Sequence, residues 1–243
     1  MSVPSKYESA LEGQIQALKT RLGQNLYSLV LYGSTVRDAI VADVSDINLL
    51  IVLERSTPEA HEVIADCIRG KVPVDPFIVG REGMARTLEV FALKFRSIRR
   101  HYRLLHGADP LAEMQVDEAL LRTLCEQQLR NLLLRSAHFY AVHGRDPKRY
   151  TGFLRRTEPI VFTVLSELLR LTGTEVPDDF SERPPLLSKV LELDTSVLDD
   201  LRRLHDRPRK LAASEVWGLH ARLHQLLDGS VSWLERRWPR SSG

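Results

Sequence analysis

The stretch that decides the reading runs Leu31-Tyr32-Gly33-Ser34-Thr35-Val36-Arg37 and then Ser45-Asp46-Ile47-Asn48-Leu49-Leu50-Ile51-Val52. Leu26–Tyr32 and Ile47–Leu53 are unbroken apolar runs of strand length, rich in Val, Ile and Leu, the pattern of strands buried on both faces. Gly33-Ser34 opens the turn between them, and Thr35–Ala39 suits one turn of helix. Gly33 has no Cβ to keep an anion from the backbone. Ser34 and the amides behind it offer hydrogen-bond donors to a phosphate, and Arg37 offers a forked cation. In a strand, residues i and i+2 point to one side, so Asp46 and Asn48 face one pocket where the second strand begins. Either half alone is an ordinary turn, because Gly, Ser, Asp and Asn all favour turns through local bonds. Their combination between two apolar strands is what points to a phosphate or metal pocket.

Outward from this stretch, the spacing predicts an amphipathic helix over Tyr7–Leu22, ending near Gly23. Downstream, Thr57-Pro58 with Glu59 and Glu62 marks a helix start, and Gly70 stops that helix after Arg69. Val72–Val79 reads as a third strand, and Pro73 and Pro76 confine it to an edge or an irregular course. Leu88–Phe95 is extended or helical. The order strand, turn, strand, helix, strand indicates a small α/β domain over residues 1–110. Beyond Pro110 the apolar spacing turns to 3.6, over Asp117–His143, Thr151–Leu171, Thr195–His205 and Ser214–Trp238. Gly144 and Gly173 stand where helix C-caps belong, and Pro159 is expected to kink or interrupt its helix. Thr174–Pro185 reads as a Pro- and Asp-rich linker. Residues 111–243 are thus expected to form an all-α antiparallel bundle.

Hydrophobic residues at 43% are enough to bury a core. A formal net charge of +2 is too small to argue for a nucleic-acid or membrane partner from bulk charge. The positive excess is local, since residues 81–109 hold 7 basic against 3 acidic side chains. Cys67 and Cys125, each in a helix-like segment, read as free buried thiols. No apolar segment follows Met1 and none reaches bilayer length, so a cytoplasmic location is expected.

The Gly33-Ser34 turn, followed by Asp46-Ile47-Asn48 at the head of an apolar strand, resembles the DNA polymerase β-like nucleotidyltransferase superfamily. That group includes small antitoxin-type and aminoglycoside nucleotidyltransferases. The match is good over residues 26–53 and loose over 54–79, and the helical half fits the companion domain common in the group. The resemblance implies an α+β nucleotidyltransferase fold with a small mixed sheet, followed by the helical bundle. It implies transfer of a nucleoside monophosphate from a nucleoside triphosphate to a hydroxyl acceptor, which can be a small molecule, a protein or RNA. Gly33, Ser34, Arg37 and Asn48 would contact the nucleotide. Magnesium or manganese would be held by Asp46, position 48 and a third carboxylate, for which Asp75 is the best candidate, with Asp46 and Asp75 as the catalytic pair. If the third position falls instead in Leu88–Phe95, Lys94 stands there, a cation where an anion is needed.

Asn48 departs from the pattern by removing the second carboxylate. At an effective dielectric near 20, a charge pair about 4 Å apart is worth roughly 4 kcal/mol. Losing that anion therefore weakens a divalent site about a hundredfold, even after discounting. The alternative is a catalytically inactive nucleotide-binding or protein-interaction module on the same fold. Elsewhere, Arg96, Arg99, Arg100 and Arg103 recur at helical spacing, either as an anion-binding strip or as the solvated face of a connecting helix. The cluster from His143 to Tyr150, with Arg155, Arg156 and Glu158, reads as a loop and an exposed first helical turn, or as a substrate contact with Glu158 as a base. Trp217, Trp233 and Trp238 are expected to pack or cap the bundle.

Overall fold

Both apolar runs form strands over the residues expected of them, β1 from Leu26 to Tyr32 and β2 from Ile47 to Leu53. The computed structural model describes residues 5–33, 36, 47–70 and 72–239, and the chain divides into two compact units, Met1–Val116 and Asp117–Gly243. In the first unit, β3 (Val74–Gly80) and β4 (Tyr102–Gly107) complete a sheet of order β3-β2-β1-β4. β1 is antiparallel to both neighbours, whereas β2 and β3 are parallel, so the sheet is mixed. A parallel pair needs a crossover, and α2 (Pro58–Ile68) supplies it. Its start follows the sequence signal: the Thr57 hydroxyl accepts a hydrogen bond from the Ala60 amide at 3.3 Å, and Pro58 fills the first turn.

Strict alternation along β1 and β2 builds two cores, one on each face of the sheet. Leu29, Leu31, Leu49, Ile51 and Leu53 pack with Leu18 of α1 (Ser5–Leu22) and with Ile64 and Cys67 of α2. Val30, Tyr32, Leu50 and Val52 turn the other way, towards Phe95, Ile98, Leu111 and Met114. At about 25 cal/mol per Å2 of apolar surface, burying each such side chain contributes roughly 1.5–3 kcal/mol. The buried Gln14 ties α1 to the end of α2 by donating to the Ile68 carbonyl at 2.9 Å.

The third strand lies at the sheet edge, where Pro76 in register with Leu49 is tolerated. Leu88–Phe95 resolves into helix, as α3 (Met84–Val90) and α4 (Ala92–Arg100). The helical spacing of Arg96, Arg99, Arg100 and Arg103 breaks down at His101, and Arg103 lies in β4. The open edge of β1 explains the break. Its unpaired amides and carbonyls gain a full ladder from Tyr102–Gly107, worth more than one further turn of helix. Gly107 (φ +77°) ends that ladder, and a Cβ there would sit 2.0 Å from the Tyr27 carbonyl oxygen.

The second unit is helical: α5 (Glu118–His143), α6 (Pro147–Leu171), α7 (Arg183–Leu191), α8 (Ser196–Asp206) and α9 (Ala213–Arg237). Its core includes Leu121 and Leu129 of α5, Leu154 and Leu165 of α6, Leu201 of α8, and Leu223 and Leu227 of α9. Helix α6 begins four residues before the expected Thr151, because Asp146 caps it by accepting from the Lys148 and Arg149 amides, with Pro147 in the first turn. The stretch after Thr174 is not all linker, since α7 forms from Arg183 on. Nor does Pro159 interrupt α6. Proline leaves the carbonyl four residues earlier without its helical donor, and the ring Nδ1 of His205 on α8 donates to that carbonyl, of Arg155, at 3.2 Å. No helix among the described residues is long and apolar enough to cross a membrane.

Candidate functional site

Register places the site. Tyr32 pairs with Asn48 across β1 and β2, Asn48 with Asp75 across β2 and β3, and Tyr32 with Tyr102 across β1 and β4. Directly paired residues share a face, so Tyr102, Tyr32, Asn48 and Asp75 form one row across the end of the sheet. The C-terminal end of β1 and the N-terminal ends of β2 and β3 meet there. The row continues the face that packs on α4, because Val30 and Tyr32 belong to that core. Asp75 is exposed and Tyr32 is buried.

Gly33 follows Tyr32 at the same end. Its φ is +85°, a left-handed conformation that disfavours side chains, and an added Cβ would lie 3.2 Å from Asn48 Nδ2. Its amide donates to the His101 carbonyl at 3.2 Å, and its carbonyl accepts from the Val36 amide at 3.1 Å. Glycine is therefore required twice at this turn, by the dihedral and by the close approach of Asn48. Ser34, Arg37 and Asp46 lie outside the described residues, so Gly33, Asn48 and Asp75 are the expected site residues whose positions are seen together.

Two further side chains define the chemistry of the row. Burial, and next the charge of Asp75, push the Tyr32 phenol well above its ordinary range, so it remains a neutral hydroxyl. Lys94 on α4 extends over the same face, its Nζ 5.1 Å from the Tyr32 ring centroid and 5.9 Å from that of Phe77, within reach of cation–π attraction. Its pKa is lowered by loss of solvent and partly restored by Asp75. Helix α4 is fixed in place by Ala92, Phe95 and Ile98, all buried against the sheet, and the Phe95 and Phe77 rings touch at 5.4 Å between centroids. The sequence marked Lys94 only as a possible occupant of a strand position. Its place over Tyr32 depends on packing between α4 and the sheet, which no local pattern encodes.

A divalent-metal centre gathers several anionic oxygens around a point. The described donors do not fit the three-carboxylate centre. Asn48 offers a neutral amide, Asp75 one carboxylate, and the Lys94 ammonium sits on the same side. No group of three His, Cys, Asp or Glu gathers for a metal ion among the described residues.

The remaining candidates have other partners. Arg99 donates to the Met114 and Ala112 carbonyls and so anchors the segment after β4. Glu158 is not on an exposed turn. It is 1% exposed in the second unit, with Arg202 Nη1 at 3.3 Å and His205 Nδ1 at 3.6 Å, and burial raises its pKa. Tyr150, whose hydroxyl bonds His220 Nδ1 at 2.7 Å, has its pKa raised to about 12 by burial. Trp233 and Trp238 pack edge to face, and Trp217, although 58% exposed, lies against the Tyr140 ring at 5.7 Å between centroids. A cavity of about 580 Å3 in the second unit is lined by Arg203, Arg207, Arg209 and Arg222 beside Asp200 and Glu215. Its arginines are largely engaged, Arg222 and Arg203 by Asp200 and Arg209 by Glu215.

No protein-family model and no curated protein sequence matches the chain. Among solved structures, it is similar to the crystal structure of spectinomycin adenyltransferase AAD(9) from Enterococcus faecialis with ATP and spectinomycin. The TM-score is 0.58 at 11% identity, over 94% of this chain and 99% of that one. At this identity the likeness is one of fold: the chain has the nucleotidyltransferase fold, a mixed four-stranded sheet with helices, followed by a helical region.

Proposed function

We propose that the sheet end formed by Gly33, Asn48 and Asp75 binds a nucleoside triphosphate, and that the protein transfers its nucleoside monophosphate to a hydroxyl acceptor. The observation that carries this reading is the row Tyr32–Asn48–Asp75 closing beside the left-handed Gly33, on a fold shared with a structure that contains ATP. In this reading the Gly33 turn admits a phosphate against the backbone, and Ser34 and Arg37 donate to its oxygens. The acceptor oxygen bonds to the α-phosphorus as the bond to the bridging oxygen breaks and pyrophosphate departs. In this reading the acceptor proton passes to the carboxylate of Asp75, which is exposed at the end of the row, with Asp46 as the second anion.

A second reading has the same site bind nucleotide or a partner without turnover. The neutral amide of Asn48 in the row favours it, since a charge is missing where the reaction concentrates charge.

Calorimetric titration with each nucleoside triphosphate, with and without magnesium or manganese, combined with an assay of pyrophosphate release in the presence of hydroxyl acceptors, tests both. Binding with release supports transfer, binding without release supports the second reading, and no binding of any triphosphate removes transfer and leaves only partner binding. Restoring the anion with Asn48→Asp is expected to raise manganese affinity about a hundredfold, from the roughly 4 kcal/mol of a charge pair discounted for solvent. An unchanged affinity would separate Asn48 from any metal.

A further inference from the structure

The charge balance of the row differs from that of a metal-dependent nucleotide site in a specific way. Among the described side chains the carboxylate of Asp75 is opposed by the ammonium of Lys94, and between them stands the neutral Asn48. Among the described residues, a triphosphate approaching this end meets one anion and one cation.

Lys94 itself is available to a ligand. Its side chain is solvent-accessible, and it lies over the ring faces of Tyr32 and Phe77. No hydrogen bond or ion pair to it is found among the described residues. The Tyr32 ring adjoins the Gly33 turn, and Phe77 stands two residues beyond Asp75 on the same strand face. The ammonium is thereby held above the row by two ring faces, with the Asp75 charge acting on it from the same face. Nearby cations are differently placed: Arg81 pairs with Glu54 at 2.8 Å and covers the Tyr27 ring, and Arg99 serves the carbonyls of Ala112 and Met114.

We propose that Lys94 is a phosphate-binding residue of this site, supplying to the β- and γ-phosphates of a nucleoside triphosphate positive charge that related sites draw from a metal ion. The inference rests on the nucleotide-binding reading above and deepens it. An ammonium is a compact donor well matched to phosphate oxygens, and charge-assisted bonds are the strong ones.

Calorimetry of ATP and AMP binding to the full chain, in magnesium and in EDTA, tests the proposal with Lys94→Gln, Lys94→Arg and Lys94→Met. The Met variant keeps the apolar stem against Tyr32 and Phe77, and circular dichroism verifies the fold of each variant. Wild type should bind ATP in EDTA. Both neutral variants should lose about tenfold or more of that affinity, the size of one charge-assisted bond. AMP binding should change little, and Lys94→Arg should retain most of the ATP affinity. Neutral variants that bind ATP in EDTA as well as wild type overturn the role of Lys94 and leave the nucleotide reading standing. Wild-type binding that requires magnesium does the same. Absence of ATP binding by wild type in both conditions overturns the nucleotide reading itself.

Discussion

At the scale of single residues, the candidate site turns on what Gly33 and Asn48 impose on each other. Gly33 takes a left-handed φ with its Cα face against the Asn48 amide. Gly33→Ala therefore incurs the steric cost of that conformation, about 1–2 kcal/mol, and presses a methyl group on Asn48. The expected outcome is a lower urea midpoint together with weaker ATP binding, measured on the same preparations. An unchanged midpoint would mean that the turn relaxes freely. The sequence marks a glycine turn here for the approach of an anion, whereas the left-handed φ and the contact with Asn48 come from the structure. The approach of Tyr32 and Lys94 was not legible in the sequence. In the sequence Tyr32 is only the end of a buried strand, and Lys94 sits 62 positions further along the chain.

Single elements show how side chains override local rules. Pro159 should break α6, yet the helix runs unbroken from Pro147 to Leu171, and the carbonyl freed at Arg155 is taken by His205. A buried or half-buried carbonyl without a partner costs about 1–3 kcal/mol. His205→Ala should therefore destabilise the protein by an amount in that range. In a Pro159→Ala background, where the helix supplies its own amide donor to Arg155, the same substitution should cost clearly less. Chemical denaturation of the four proteins of this cycle gives the coupling, and equal costs in both backgrounds would show that His205 acts elsewhere, through Glu158 for example. The fourth strand carries the same lesson. Phe95–Leu105 has a helical charge pattern, but the exposed edge of β1 recruits its second half as β4.

For the whole molecule, each unit has a core of its own, the first on both faces of the sheet and the second among α5, α6, α8 and α9. We expect residues 1–116 and 117–243, produced separately, each to unfold cooperatively in scanning calorimetry. A fragment that melts without a cooperative transition would show that its core depends on the other. The sequence by itself determined what short-range pattern can carry: the two central strands to the residue, the α2 cap at Thr57, the glycine turn, and the helical character of the second half. Only the tertiary structure decided that Tyr102–Gly107 is a strand, that α6 passes through its proline, and that Tyr32, Asn48, Asp75 and Lys94 share one sheet end. Each of those outcomes depends on a partner distant in sequence, an open strand edge, a donor on another helix, or a helix laid across a face. Periodicity is a property of neighbouring residues and says nothing about which distant group satisfies a bond or faces a charge.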